Sequence, residues 1–386
     1  MKTSRERILT THVGSLPRSQ ALSDLLIRQE RGEAIDTAAL ARETETGVSH
    51  VVQKQIESGV DVISDGEQPR VGFQTYTPQR LSGFGGVGER PSFLDFEKFP
   101  DYSALFAARV PKPSKVFDAP AAIGEISYIG KEQTEAECAL FERCSAPYAG
   151  RYAERFMTAA SPGIICTTMM NQYFESYENY VRAVAKAMKE EYELIHAKRF
   201  VLQLDCPDLA MERQGLFKKE TDAAFIRAIE LHVDALNAAL ENIPAEDVRL
   251  HVCYGNYDGP HYHDVPLEVI LSILYKAKIG ALSLEMANPR HQHEYDVLKK
   301  APPPDHMILV PGVVESASNY IEHPQVICNR ILQAVDAVGD RERVIASSDC
   351  GFGTFAGWEF VAQSVVWAKF EAMRTGAELA TRKLWG

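Results

Sequence analysis

The sequence predicts an α/β fold, a single (β/α)8 barrel, from three observations. Short apolar runs alternate with long amphipathic stretches, which is the pattern of repeated βα units. Eight runs of this kind follow one another along the chain. A length of 386 residues with 45% apolar content suits one such barrel with insertions and a large core. We therefore expect one barrel domain over residues 1–386, with an insertion at residues 80–120.

The predicted strands are short runs rich in β-branched and aliphatic residues. They cover residues 8–13, 60–64, 155–159, 200–204, 248–253, 281–284, 307–310 and 344–347. Between them, apolar residues recur at the three- and four-residue spacing of amphipathic helices. This spacing predicts helices over residues 37–58, 180–197, 223–240, 267–278, 324–337 and 357–381.

Residues 80–120 break this alternation. The segment begins glycine-rich, as LSGFGGVGERPSF, and continues with aromatic residues and prolines. Long irregular segments inside a compact domain are usually either functional or mobile. We expect this one to cover the barrel mouth as a lid, or to contact a second copy of the chain in a homodimer. The run AAIGEISYIG that follows it predicts an extra strand or hairpin.

Composition and charge exclude several classes of protein. The net charge of −12 argues against a nucleic-acid or anionic-membrane surface, which requires a basic field. No apolar run is long enough to predict a membrane span, and the start, MKTSRERILTT, lacks the pattern of a signal peptide. Seven irregularly spaced cysteines do not predict a disulfide framework. We expect a cytoplasmic protein that acts on small molecules.

Four possible metal ligands lie at the ends of predicted strands. They are His251 and Cys253 in RLHVCYGN, Glu285 in ALSLEMANPR, and Cys350 in VIASSDCGFG. His251 and Cys253 are two residues apart, so strand alternation puts both side chains on one face. The C-terminal strand ends of a (β/α)8 barrel form its active site, where the four residues would converge. A Zn²⁺ site with two thiolates suits the activation of a thiol substrate, because the metal lowers the thiol pKa.

Other strand ends offer groups that could bind the polar part of a substrate. Ser15 lies in a turn of TTHVGSLPRS whose backbone N–H groups could hold a carboxylate or sulfonate. Glu67 follows the second predicted strand and Asp205 follows the fourth. Two carboxylates facing one pocket suit an ammonium group, although helix caps or loop charges are the alternative interpretation.

Two H-x-H pairs, His261 with His263 and His291 with His293, could also bind metal. Both fall in loop-like sequence without a strand to orient them, which favours surface or supporting roles. One of these histidines could instead orient a substrate or donate a proton.

The strand-end motifs resemble those of one known family. HVGSLPR, SDGEQPR, TAASPGII, LQLDCPDLA, LHVCYGN, LSLEMANPRH, VPGVVES and SSDCGFG occur in the order seen in the catalytic barrel of the cobalamin-independent methionine synthase family. The resemblance covers roughly residues 8–385. It implies a barrel of the kind shared with uroporphyrinogen decarboxylase, and methyl transfer to homocysteine in methionine biosynthesis.

The resemblance also implies roles for individual residues. Its zinc ligands fall at His251, Cys253, Glu285 and Cys350. Its homocysteine site falls at Val13 and Ser15, with Glu67 and Asp205 binding the amino group.

Two departures from the family pattern concern the methyl donor. Full-length members carry an additional N-terminal barrel that helps to bind the folate tail, and this sequence contains none. The family also has an acidic histidine after the seventh strand, where the matching residue is Ala317. Glu315, Ser316 or His291 could replace it, and we predict His291 and Glu315 as the catalytic acids. Both departures count against a methyltetrahydrofolate donor.

A second resemblance leaves an alternative open. The stretches AAIGEISYIGKEQTEAE, LHVCYGNYDGPHYHDVP and NPRHQHE resemble epoxyalkane:coenzyme M transferase, a single-barrel relative that adds a zinc-activated thiol to an epoxide. Methyl transfer to homocysteine is the first prediction, and thiol addition to an epoxide is the alternative. A decarboxylase-like barrel and a non-catalytic zinc protein with a closed site are more remote hypotheses.

Overall fold

The computed structural model describes residues 1–109 and 118–386, and it contains the predicted barrel. Its strands are β1 (Leu9–Thr10), β2 (Val62–Ile63), β3 (Phe84–Gly85), β4 (Ala121–Ala122), β5 (Glu154–Ala160), β6 (Val201–Asp205), β7 (Val248–Val252), β8 (Ala281–Leu284), β9 (Ile308–Val314) and β10 (Ile345–Ser348). Eight of them form one parallel sheet in the order β1-β10-β9-β8-β7-β6-β5-β2. The ends of the sheet meet where the Asp61 backbone N–H donates to the Thr10 carbonyl at 3.0 Å. The sheet is therefore a nearly closed barrel, and the predicted fold class is confirmed.

Helices surround the barrel. They are α1 (Gln20–Glu30), α2 (Thr37–Ser58), α3 (Leu94–Lys98), α4 (Pro100–Arg109), α5 (Lys131–Ser145), α6 (Pro162–Thr168), α7 (Tyr177–Ala197), α8 (Asp222–Ala239), α9 (Leu267–Leu274), α10 (Tyr295–Lys300), α11 (Pro324–Val338) and α12 (Gln363–Trp385). In α7, the Ser176 side chain caps the first turn by accepting from the Asn179 N–H. Apolar residues at helical spacing, among them Val184 and Met188, then face the sheet.

Two predicted helices differ from the observed ones by four residues or more at an end. The final helix begins at Gln363 rather than at residue 357, and the preceding loop carries Trp358 to the barrel mouth. The Ala362 N–H that would extend this helix donates to the Asn319 side chain instead. Helix α9 ends at Leu274 rather than at residue 278, because the chain then turns so that the Lys278 N–H reaches the Asn237 side chain.

The inserted segment has more regular structure than its sequence predicts. It contains α3 and α4. Strand β3 pairs antiparallel with β4 from AAIGEISYIG, which confirms the extra strand predicted there, whereas AAIGEISYIG does not itself form a hairpin. Residues 110–117 of the segment lie outside the described residues.

Within residues 1–109 and 118–386, no helix combines the length and the apolar character needed to cross a membrane.

Candidate active site

A cavity of about 240 Å³ opens at the C-terminal ends of the barrel strands. Most of the predicted site residues share its lining: Val13, Ser15, Glu67, Asp205, His251, Cys253 and Cys350. The predicted residues Glu285, His291 and Glu315 are not part of this lining. Parallel strands deliver these side chains to one place because their carboxyl ends all lie at the same rim of the barrel.

Three predicted metal ligands converge at the cavity. One ligand atom from each of His251, Cys253 and Cys350 lies within 4.8 Å of the others. All three residues are buried, and neither ring nitrogen of His251 has a hydrogen-bond partner among the described residues. A buried imidazole without partners is costly unless something else binds it. Two sulfurs and one imidazole nitrogen are also donors that Zn²⁺ prefers, so the residues present fit a zinc ion.

The two thiols of this group differ in acidity. The neighbouring Cys350 thiol, together with His251, holds the pKa of Cys253 well below its usual range despite burial. The same pairing with Cys253, together with burial, raises the pKa of Cys350. Burial lowers the pKa of His251, but Cys253 together with the charges of Asp205 and Glu285 outweighs this effect, and the net direction is upward. Deprotonation to the thiolate, which is the form that binds metal, is therefore easier at Cys253 than at Cys350.

Glu285, the fourth predicted ligand, lies outside the 4.8 Å group. Its Oε1 accepts a hydrogen bond from the Asn288 side chain at 2.8 Å, and its Oε2 accepts one from the Tyr254 N–H at 3.3 Å. Burial raises the pKa of Glu285, and the positive charges of His261 and His291 oppose this rise. Its role as a metal ligand stays a prediction.

His261 and His291 form a second group with Asp264, whose ligand atoms also lie within 4.8 Å of one another. The Asp264 carboxylate contacts His261 Nδ1 at 2.8 Å and His291 Nε2 at 3.0 Å. The other two ring nitrogens contact the Tyr257 carbonyl and the Glu294 carboxylate.

All four ring nitrogens of this group thus face acceptors, so all four must donate. Both rings are then imidazolium ions, with no lone pair left for a metal. The directions of the pKa shifts of His261 and His291 agree with this protonation state. Burial lowers both values, but hydrogen bonds to Asp264 raise the pKa of His261 to about 9 and that of His291 to about 10. This group fits a pair of buried cations beside Glu285 better than a second metal site.

Glu67 and Asp205 bring two buried carboxyl groups to the cavity. Glu67 has a positive φ of 53°, an uncommon conformation for a residue with a side chain. Its Oε2 has no hydrogen-bond partner among the described residues. Burial raises the pKa of both groups, that of Asp205 to about 8. A cationic ligand beside them would offset this cost of burial.

A polar chain inside the barrel holds Asp205 in place. The Gln203 side chain donates to Asp205 Oδ1 at 2.8 Å and accepts from Arg249 Nε at 2.7 Å. Arg249 also donates to the Thr11 hydroxyl and the His12 carbonyl on the first strand and its extension. Arg249 lies two residues before His251, on the same face of the strand. The two-residue spacing of Arg249, His251 and Cys253 in the sequence could therefore have indicated that Arg249 also belongs to the site.

Ser15 lies in a tight contact with the loop that follows Cys350. The Phe352 N–H donates to the Ser15 carbonyl at 2.7 Å. A Cβ at Gly351 would lie 1.9 Å from Ser15 Oγ, so this close approach requires glycine.

The two predicted acids lie away from the cavity lining. His291 is engaged with Asp264 and Glu294, and its ring stacks on Tyr254 with centroids 3.8 Å apart. The Glu315 carboxylate caps its own loop, accepting from the Ala317 N–H at 2.7 Å and from the Ser318 hydroxyl. The role of either residue as a proton donor stays a prediction.

Asp349 is a supporting residue that the sequence analysis did not single out. Its carboxylate accepts from three consecutive backbone N–H groups after β8, those of Met286, Ala287 and Asn288. These bonds fix the loop that begins at Glu285. The position of Asp349 directly before Cys350, in SSDCGFG, is the sequence signal that could have identified it.

The inserted segment covers the cavity, as its predicted role as a lid requires. We call residues 90–109 the aromatic lid. From this lid, Phe93, Phe96 and Phe106 line the cavity opposite the strand ends. The Asp95 carboxylate fixes the lid to the loop after β7, accepting from the Tyr262 N–H and contacting His263 Nδ1 at 2.6 Å. The aromatic run DFEKFPDYSALF was the sequence signal, but it did not show which rings face the site.

The family model that matches the chain is described as the catalytic domain of cobalamin-independent synthase. It matches residues 8–92 and 157–374, which together make up most of the chain. Both stretches contain barrel strands, and the region between them, residues 93–156, includes most of the aromatic lid.

Two relatives are similar over nearly the whole chain. A 2-hydroxypropyl-CoM lyase from Xanthobacter autotrophicus is 24% identical over 97% of this chain and 97% of its own length. A methionine synthase from Saccharolobus solfataricus is 22% identical over 97% of this chain and 95% of its own length.

A solved structure has the same fold. The B12-independent methionine synthase from Shewanella sp. W3-18-1, in complex with selenomethionine, matches with a TM-score of 0.72 at 19% identity. The match covers 98% of this chain and 99% of that one. The family match over most of the chain identifies this protein as a member of the cobalamin-independent synthase catalytic-domain family.

Proposed function

We propose that this protein is a zinc-dependent thiol alkyltransferase and that its reaction is methyl transfer to homocysteine. The observation that carries the proposal is the convergence of His251, Cys253 and Cys350 within 4.8 Å beside the cavity. These three residues would hold the zinc ion, and Glu285 is the proposed fourth ligand. When bound, zinc supplies a Lewis acid that lowers the pKa of the substrate thiol.

The carboxylates of Glu67 and Asp205 support an amino-acid thiol. An ammonium group would complement both of them, and the Ser15 turn would hold the carboxylate at the other end of the substrate. Coenzyme M carries a sulfonate and no ammonium group, so it would offer neither carboxyl group a cation. The similarity to a 2-hydroxypropyl-CoM lyase nevertheless keeps thiol addition to an epoxide as the second candidate.

The chain's own residues orient the reaction. Glu67, Asp205 and Ser15 position the thiol, while the aromatic lid excludes water from the reacting atoms. The thiol gives up its proton, its sulfur forms a bond to the alkyl carbon, and the leaving group departs with the electron pair of the broken bond. The leaving group then takes a proton, for which His291 and Glu315 are the predicted donors.

Metal content tests the central claim. The chain purified without chelators should contain one zinc ion per molecule, measured by plasma mass spectrometry. Cys350→Ser should weaken zinc binding by more than about 100-fold, because even groups that only support ligands contribute about 10- to 100-fold. Cys144→Ser is the matched control, since Cys144 contacts Ser49 on the surface. Wild-type zinc affinity and activity in Cys350→Ser would refute the proposal.

Calorimetric titration distinguishes the two candidate thiols. Homocysteine should bind with proton release, and Glu67→Gln should weaken it while leaving 2-mercaptoethanesulfonate unaffected. Tighter binding of 2-mercaptoethanesulfonate by the wild type would favour epoxide opening instead. For the acids, His291→Gln should remove the alkaline limb of the kcat–pH profile, because a proton donor loses activity as it deprotonates, and Glu315→Gln should lower kcat. An unchanged profile or an unchanged kcat excludes the substituted residue.

We further propose a cytoplasmic location, because all seven cysteines are free thiols, as in reducing compartments. A homodimer is also proposed, and the mass in solution by light scattering tests it.

A further inference from the structure

The cavity has two chemically different halves. The half at the strand ends carries Glu67, Asp205 and the His251 group. The opposite half is a continuous series of aromatic rings. In this series, Phe96 lies 5.1 Å from Phe106 between ring centroids, and Phe106 lies 6.1 Å from Trp358. The series continues from Trp358 to Phe355 at 4.9 Å.

We propose that this aromatic half is the subsite for the alkyl donor, and that the donor is an uncharged molecule with a ring-bearing apolar substituent. The inference rests on the proposed thiol alkylation and adds the donor's chemical class. The volume of about 240 Å³ comprises both halves of the cavity, and apolar cavities of about 150 Å³ accept benzene, so the aromatic half has room for no more than a single ring. Aromatic rings that contact one another edge to face also keep part of their ring faces free. These free faces can contact an aryl group of the donor.

The charges in this half disfavour a charged donor. Arg90 is the one lining residue on the lid that carries a charge, and its guanidinium is paired with the buried Glu212. Because the Arg90–Glu212 pair carries no net charge, this half offers a cationic donor such as a sulfonium ion no free carboxylate. The carboxyl groups of Glu67 and Asp205 lie in the other half, where the ammonium group of the proposed thiol would occupy them. A polyanionic donor such as a polyglutamyl folate would find one arginine that is already paired.

The subsite is preformed, and two of its rings, Phe96 and Phe106, belong to the inserted segment. The Leu94 N–H donates to the Gln214 carbonyl at 3.0 Å, and Lys218 donates to the Ser92 carbonyl at 2.7 Å. With the Asp95 bonds, these contacts fix the lid before any ligand binds, which reduces the entropy cost of binding. Phe96 and Phe106 fall within residues 93–156, which the family model does not match. Selectivity for the donor that depends on Phe96 and Phe106 is therefore separate from the strand-end residues that the family model matches.

The test uses three non-reactive probes that share a phenyl ring and differ in charge. These are 1-phenylethanol, the phenyltrimethylammonium cation and the phenylacetate anion, titrated calorimetrically into the full-length chain. We expect 1-phenylethanol to bind at least about tenfold more tightly than either ion. Phe96→Ala and Phe106→Ala should each weaken it about fivefold, the scale of a lost aromatic contact. Phe106→Leu, which keeps apolar bulk, should weaken it less.

Phe99→Ala is the matched control. Phe99 lies in the same segment but packs edge to face on Tyr262 and does not line the cavity. Equal or tighter binding of an ion, no binding of 1-phenylethanol, or equal losses in Phe99→Ala and Phe106→Ala would each overturn the inference. These outcomes do not depend on catalysis. A chain that fails to alkylate thiols yet shows the expected binding pattern would refute the proposed function alone.

Discussion

Replacement of Asp349 by alanine should destabilise the protein strongly, because one carboxylate satisfies three backbone donors. Its Oδ1 accepts from the N–H groups of Met286 at 2.9 Å and Ala287 at 2.7 Å, and its Oδ2 accepts from Asn288 at 2.7 Å. Met286 and Ala287 are fully buried. Each orphaned buried N–H costs about 1–3 kcal/mol. Water can reach the partly buried Asn288, so we expect a loss of about 3–5 kcal/mol in the free energy of unfolding.

Urea unfolding of the zinc-free chain, followed by circular dichroism, measures this loss without a contribution from metal. Asp349→Asn should lose less, about 1–3 kcal/mol, because one amide oxygen still accepts while the NH₂ group faces a donor. Asp305→Ala is the surface control, since the Asp305 side chain is fully exposed. A loss below about 1 kcal/mol for Asp349→Ala would refute the reasoning, as its three bonds would then contribute little. If Asp349→Ala does not fold, the loss in the free energy of unfolding measured for Asp349→Asn tests the prediction instead.

Two further predictions concern the charged pair beside Glu285 and the Ser15 turn. His261 and His291 have pKa values raised from 6.5 to about 9 and about 10. Their contribution to stability is therefore complete below about pH 6.5 and is lost as the pH rises through 9 to 10. Asp264→Asn should accordingly destabilise the zinc-free chain most near pH 6 and least near pH 10, and a difference independent of pH would contradict this account. Gly351→Ala places a Cβ 1.9 Å from Ser15 Oγ and should weaken homocysteine binding about tenfold with zinc content unchanged. Gly124→Ala, whose nearest contact is 3.7 Å, should bind the thiol normally, and equal affinities in the two variants would exclude the Ser15 turn as a thiol contact.

The fold was predictable because its signals are local. Strand and helix periodicities depend on neighbours within a few residues, so the eight barrel strands and helix α2 could be located from the sequence. The strand ends of a parallel barrel share one rim, which allowed Cys350 to be grouped with His251 and Cys253 although about 100 residues separate it from them.

Contacts between loops could not be predicted in this way. Glu285 ends its strand as expected, yet its carboxylate bonds to Asn288 and lies outside the ligand group. His291 was predicted as a proton donor, and the sequence did not show that its ring lies between the carboxylates of Asp264 and Glu294.

The sequence by itself determined the barrel, the candidate metal ligands and their common rim, because periodicity and strand-end position are encoded locally. Only the tertiary structure decided which loops support that rim and which rings cover it. Asp349 reaches back more than 60 residues to the loop after Glu285, and Phe106 packs on Trp358 across some 250 residues. Such contacts depend on how the loops fold over the barrel mouth, and no short-range spacing specifies that arrangement.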